Sequence, residues 1–420
     1  LRPSVYLERY AYPVNYFDID RHVGAHIIVV IPCFDEPDLI RTLDSVSLAE
    51  RPSSVEVSVL IVINHSQKAS ADLKSRNLGT LHSTDKWIRT RQRSNLKFEV
   101  QLVELPPIHA GVGLARKVGM DDALRIFHKS DYDGVILCLD ADCTVDNNYF
   151  VSISRAFDEA SVKGASLHFE HEIDEVGSTT EGIVLYELYL RYYINALKYT
   201  RYPMATQTIG SSMAVRASAY ERVGGMNRRK AGEDFYFIHK LLPQGGFVEI
   251  VDTTVRPSSR VSERVPFGTG AAIGKWLKDK EHLDLVYSPK VFEELHLLIQ
   301  LLKDGFAQTK SQWEWGLELL SESIQGFLER ENVRSSVFEI KQRTASVDAF
   351  EKQLWQYFDG LKILKCVHFL SDHHHPRTEI DDALAWLFEV HIKSPQPTTY
   401  NATLKKLRKF DKLNAGQIGL

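Results

Sequence analysis

Two short acidic motifs carry the most chemistry in this sequence. Asp140-Ala141-Asp142 follows directly on the apolar run from Gly134 to Leu139, and Gly232-Glu233-Asp234 precedes an apolar stretch that begins at Phe235. Two carboxylates separated by one small residue at the end of a buried strand are costly unless a cation neutralises them. Their hard oxygens suit a divalent metal, Mn2+ or Mg2+, with a diphosphate completing the shell. Such a triplet also arises by chance and in helix N-caps, so its place after a strand matters more than the triplet itself. Glu233 and Asp234 have two readings: an acidic first turn that complements a helix dipole, or a carboxylate placed as a general base.

The elements that must position these groups are legible as runs. His26 to Ile31, Val55 to Ile63, Phe98 to Val103 and Gly134 to Leu139 read as strands buried on both faces. Residues 38–48 and 111–127 read as the helices between them, and 181–200 has helical apolar spacing. Strands alternating with helices predict an α/β sheet whose ligands bind beyond the carboxyl ends of the strands. At those ends stand Pro32, Cys33 and Glu36 after the first run, and Asn64 and His65 at the second. Residues 1–25, rich in Tyr, read as an arm that packs on a neighbour. From about Pro289 the pattern is helical to the end, broken near His373-His374-His375-Pro376 and Pro395-Gln396-Pro397. The expected organisation is an arm (1–25), an α/β domain (26–288) and a helical C-terminal domain (289–420).

Composition narrows the class. The chain has 420 residues, with 51 Lys+Arg against 55 Asp+Glu, so no basic excess points to nucleic acid. A hydrophobic fraction of 44% and a charged fraction of 25% are those of an ordinary folded protein with a sizeable core. The 4 Cys are too scattered for a disulfide framework, which favours a reducing compartment. No apolar run approaches the roughly 18 residues that span a bilayer, and Leu1-Arg2-Pro3 opens no signal-peptide pattern. The expected location is the cytoplasm, with peripheral contact at the inner face of a membrane as an option raised by the basic, amphipathic run Leu404 to Phe410.

In order along the chain stand Ile31-Pro32-Cys33-Phe34-Asp35-Glu36, Asn64-His65-Ser66, Gly111-Val112-Gly113-Leu114-Ala115-Arg116-Lys117-Val118-Gly119, Leu139-Asp140-Ala141-Asp142, Ile209-Gly210-Ser211-Ser212, Val223-Gly224-Gly225-Met226 and Gly232-Glu233-Asp234. This set resembles the family 2 glycosyltransferases of the GT-A fold, over about residues 26–270. The segment from Pro257 to Arg260 and from Arg264 to Gly270 resembles a bacterial branch of that family. The resemblance implies a Rossmann-like mixed sheet flanked by helices. It implies metal-dependent, inverting transfer of a sugar from a nucleotide-sugar donor to a carbohydrate, lipid-linked or small-molecule acceptor. Pro32, Cys33 and Glu36 would begin the nucleotide pocket, with Asn64 and His65 at its base-reading edge. Gly113 and Arg116 would lie beside the donor diphosphate, and Arg260 and Arg264 could hold phosphates in fork geometry. Asp140, Ala141 and Asp142 would form the metal-binding triplet, with Asp142 the direct ligand. Asp234 would be the catalytic base. Gly210 would let backbone approach the sugar, and Glu233 and His171 would lie on the acceptor side.

The sequence departs from the family in places. The second strand ends in Asn64 where the family has Asp; an amide both donates and accepts, so uracil is no longer the default base. The processive Q-x-x-R-W pattern is absent, which favours single addition. A third metal ligand is open between His239 and His282. Two rival functions remain: a catalytically silent nucleotide-sugar-binding scaffold, and a sugar-1-phosphate nucleotidyltransferase, which needs a basic Gly-rich loop where Cys33-Phe34-Asp35-Glu36 stands. The partial dinucleotide fingerprint at Gly111 to Arg116 and the near-miss P-loop at Gly270 to Trp276 each lack required positions.

Overall fold

A computed structural model describes residues 4–91, 95–173, 180–260 and 284–419. Arg264, His282 and the segment from Gly270 to Trp276 lie outside the described residues. The chain divides into two compact units. The first comprises Leu1–Asp174, Thr208–Gly274 and Asn414–Gln417, and the second Glu175–Gln207, Lys275–Leu413 and Ile418–Leu420.

The first unit is built on a mixed sheet. Eight of its nine described strands are β1 (Ile27–Cys33), β2 (Val57–Ser66), β3 (Leu96–Leu105), β4 (Val135–Cys138), β5 (Thr144–Val145), β6 (Gly164–Phe169), β7 (Met213–Arg216) and β8 (Phe247–Arg256). They lie in the order β8-β6-β7-β4-β1-β2-β3, with β5 paired to β8. All seven residues of β1 are buried, as a β-branched run flanked on both sides by parallel strands requires. β1 is parallel to β2 and β4, whereas β7 runs antiparallel to both β4 and β6. The α/β mixed sheet expected from the sequence is therefore present. β6 stops at Phe169, so His171 lies two residues past the strand.

Helix Val112–Lys129 lies against β1 and β2. Its close approach depends on Gly119, where a Cβ would stand 2.5 Å from Val30 Cγ1 and 3.2 Å from Val62 Cγ2. The helix also buries Lys117, Asp121 and Asp122, and buried charge must be paired. Lys117 Nζ is 2.9 Å from Asp121 Oδ2 and Arg125 is 2.6 Å from Asp122 Oδ1. Tyr220 Oη donates to Asp121 at 2.8 Å, and the N-terminal residues supply further partners. Tyr6 Oη donates to Asp121 at 2.7 Å, Tyr12 N to Asp121 at 2.7 Å and Tyr16 N to Asp122 at 2.9 Å. The aromatic arm is thus strapped to a helix of its own unit.

The second unit is helical. Helix Thr180–Tyr199 packs with helices drawn from Pro289–Asp304 onward. The described part is not wholly helical, since Thr378–Glu379 pairs with Leu285–Val286 as a two-residue ladder. In the basic run of helix Tyr400–Leu413, Leu404 and Leu407 are buried, and Arg408 grips the buried Glu187 through bonds of 2.8 and 2.7 Å. Among the described residues, no helix is long and apolar enough to cross a membrane.

Substituting Gly119→Val puts a Cβ and two methyl groups against β1 and β2. We expect a loss of about 1–3 kcal/mol, the usual range for overpacking a tight contact. A lowered urea midpoint at unchanged slope would register it; an unchanged midpoint would show that the helix does not need this approach.

Candidate active site

The site forms where β4 ends. Leu139 N still bonds to Val30 O at 3.2 Å, after which Asp140, Ala141 and Asp142 leave the sheet. Thr42 Oγ1 donates to Ala141 O at 2.8 Å and holds the triplet from below. Asp140 is 38% exposed, and Asp142 is also partly exposed.

Arg116, one turn into helix Val112–Lys129, is 3% exposed. One terminal nitrogen donates to Asp140 Oδ1 and the other to Glu233 Oε1. Its Nε has no hydrogen-bond partner among the described residues. Burial lowers the proton affinity of the guanidinium, but the charges of Asp140 and Glu233 outweigh it and hold its proton more firmly than usual. Gly210 closes one side: a Cβ there would meet the guanidinium at 2.3–2.6 Å. Gly113 admits the loop before Glu233, since a Cβ would stand 2.3 Å from Arg229 O and 2.9 Å from Glu233 Cβ.

Glu233 and Asp234 open helix Glu233–Leu241, entered through Gly232 at φ +69°, a conformation that suits glycine. Burial pushes the Glu233 carboxyl up to about 7 against the pull of Arg116, and the charges of Asp234 and Asp140 add to the rise. Asp234 is partly exposed. Burial raises its proton affinity too, opposed by Arg116 and by the Phe235 N–H, which donates to Oδ1 at 2.8 Å.

The other expected residues form two neighbouring groups. Glu36, buried just past β1, accepts two bonds of 2.8 Å from Arg260 Nη2, while Arg260 Nη1 donates to Asp38 at 2.7 Å. The charge of Asp142 also acts on Arg260. Pro32 and Cys33 are buried in β1. Asn64 and His65 are buried at the end of β2, and Asn64 Oδ1 has no hydrogen-bond partner among the described residues. Asn77 braces this corner. Its amide nitrogen lies 3.1 Å from Asn64 O and 3.2 Å from His65 Nδ1, and its Oδ1 accepts from Asp35 N at 3.2 Å. His65 Nε2 is 3.3 Å from Glu104 Oε1. His171 is buried with its ring edge-on to Phe169. His239 rests its ring 4.5 Å from that of Phe235. No group of three or more His, Cys, Asp or Glu suited to a metal exists among the described residues.

Residues 135–305 match the family model described as glycosyl transferase family group 2. Over that stretch, less than half of the chain, the sequence is similar to the family 2 glycosyltransferases. The match includes Asp140, Asp142, Glu233 and Asp234 and begins after Arg116. Similar solved structures include S. aureus TarS 1-349 in complex with UDP-GlcNAc, at 13% identity over 79% of this chain and 89% of that one, with a TM-score of 0.40. GalNAc-T7 with UDP, GalNAc and Mn2+ is 15% identical over 72% of this chain and 57% of that one, with a TM-score of 0.37. No curated protein matches the chain in sequence.

Sequence pattern alone does not single out Asn77 and Thr42. Both are polar side chains on otherwise amphipathic helices, and their signal is only a polar residue on the buried face. The guanidinium-carboxylate triad of Arg116 was also invisible, because its members are 24 and 117 residues apart.

Burial drives the His239 imidazole down to about 4 from its ordinary 6.5. The unfolded chain then binds the extra proton first, so this group withdraws stability as pH falls from about 6.5 towards 4. Urea unfolding at pH 7 and pH 5 should show a smaller acid loss in His239→Leu than in the wild type. Equal losses would mean that His239 is hydrated in the folded protein.

Proposed function

We propose that this glycosyltransferase moves a sugar from a nucleotide-sugar donor to an acceptor hydroxyl, in a single metal-dependent step that inverts the anomeric carbon. The observation that carries the reading is the gathering of Asp140 and Glu233 on one buried guanidinium, which brings the Asp140-Ala141-Asp142 triplet and the Glu233-Asp234 pair to one place at the end of β4.

The donor set fits a hard divalent ion. Magnesium sites commonly use one or two carboxylates together with substrate phosphates and water, so two partly exposed aspartates suffice without a third protein ligand. Asp142 and Asp140 would hold the ion, and when bound it offsets charge on the departing nucleoside diphosphate. Asn64 Oδ1, buried and unpartnered among the described residues, supports recognition of a base edge that presents an N–H. Asp234 takes the proton of the acceptor hydroxyl while that oxygen attacks the anomeric carbon. The bond from that carbon to the diphosphate oxygen breaks, and the diphosphate leaves with the electron pair. Burial raises the proton affinity of Asp234, the direction a general base near neutral pH needs. The acceptor is a carbohydrate, a lipid-linked sugar or a small molecule.

Calorimetry with UDP, GDP and ADP, each with Mn2+ and then with excess chelator, tests the donor side. We expect one diphosphate to bind with the metal and to lose affinity without it, and Asp142→Asn to weaken it more than Asp140→Asn. Metal-independent binding of the same strength would remove the ion from the reading.

Asp234→Asn tests the base separately. It should leave diphosphate affinity intact and lower turnover by ~10²–10⁴-fold. Normal turnover would dismiss Asp234, and joint loss of binding and turnover would move it to a structural role.

A further inference from the structure

We infer that Arg116 is a positioning residue: its guanidinium spans Asp140 and Glu233 and so fixes where the metal-binding triplet stands relative to the base Asp234. The inference rests on the reading under Proposed function and assigns Arg116 a task other than gripping the donor's phosphates.

Four observations lead there. Both terminal nitrogens of Arg116 are committed to carboxylates, one on Asp140 and one on Glu233. The side chain is 3% exposed, and the Gly210 backbone lies so close that even a methyl group there would collide with the guanidinium. That face has no room for a phosphate. The two partners stand in or beside the working groups: Asp140 belongs to the metal-binding triplet, and Glu233 directly precedes Asp234. The helix that carries Arg116 is seated on β1 through Gly119 and strapped by the N-terminal arm through Asp121 and Asp122. A planar fork on a fixed mount sets two directions at once. A lysine ammonium is a point charge on a flexible stem and cannot reproduce both.

The test compares the wild type with Arg116→Lys, Glu233→Ala and the double variant. For each, kcat is measured by release of nucleoside diphosphate, and Kd for the diphosphate with Mn2+ by calorimetry. A spacing role predicts that each single variant lowers kcat about 100-fold, the size of effect that a displacement near 1 Å produces. The Kd should stay within about threefold. The double variant should lose little more than either single, because both cut the same link. A rise in Kd of tenfold or more in Arg116→Lys would overturn the inference in favour of a phosphate ligand. Unchanged kcat in the folded variants, or losses that multiply in the double, would overturn it as well. Should Arg116→Lys fail to fold, Glu233→Ala decides by the same two readouts. If the wild type binds none of the diphosphates with Mn2+, the donor reading itself fails, an outcome separable from any result on the variants.

Discussion

A guanidinium closed inside a protein must meet opposite charge, and Arg116 meets it from two directions. Asp140 arrives from the end of β4 and Glu233 from the start of a helix far along the chain. Removing one member of such a group leaves an uncompensated buried charge, which typically costs about 3–5 kcal/mol. The constraint also works outward. Gly210 and Gly113 must lack side chains because the loops that enclose the arginine pass within contact distance of it and of Glu233. Gly113, one of the glycines of the partial dinucleotide fingerprint, thus serves close packing beside Glu233.

Sheet topology explains how distant segments reach that point. β7 runs antiparallel to β4, with Met213 opposite Cys138. The chain entering β7, which includes Gly210, therefore emerges beside the chain leaving β4, which includes Asp140. The short strand β5 makes the same kind of link on the other side. Thr144 lies opposite Arg256 of β8, so the segment after Asp142 runs beside the end of β8, and Arg260 follows within a few residues. Two antiparallel pairings in a sheet that is otherwise largely parallel bring the acidic triplet between a glycine wall and a second arginine.

That second arginine shows the same economy of charge. Arg260 covers Glu36 and Asp38 and lies in the field of Asp142. Neighbouring carboxylates repel one another, and the arginines beside them keep them together. In the helical unit the same physics recurs without chemistry: Glu187 is buried and held by Arg191 and Arg408. The basic run of the last long helix therefore turns one of its charges inward.

Periodicity alone placed β1 to β4 and the helix that carries Arg116, because continuous β-branched runs and 3.6-residue spacing are local properties of the chain. The same local logic put Asp140 and Asp142 at a strand end and marked the Glu233-Asp234 pair as a candidate for proton transfer. Local pattern could not show that β7 and β5 pair antiparallel, since register is set by which strand lies alongside. Nor could it show that the aromatic arm supplies hydrogen bonds to Asp121 and Asp122, or that Arg116 faces two carboxylates 24 and 117 residues away. A charge in a sequence carries no record of its partner. Which groups neutralise one another is decided only when burial removes water as the alternative, and that is a property of the tertiary structure.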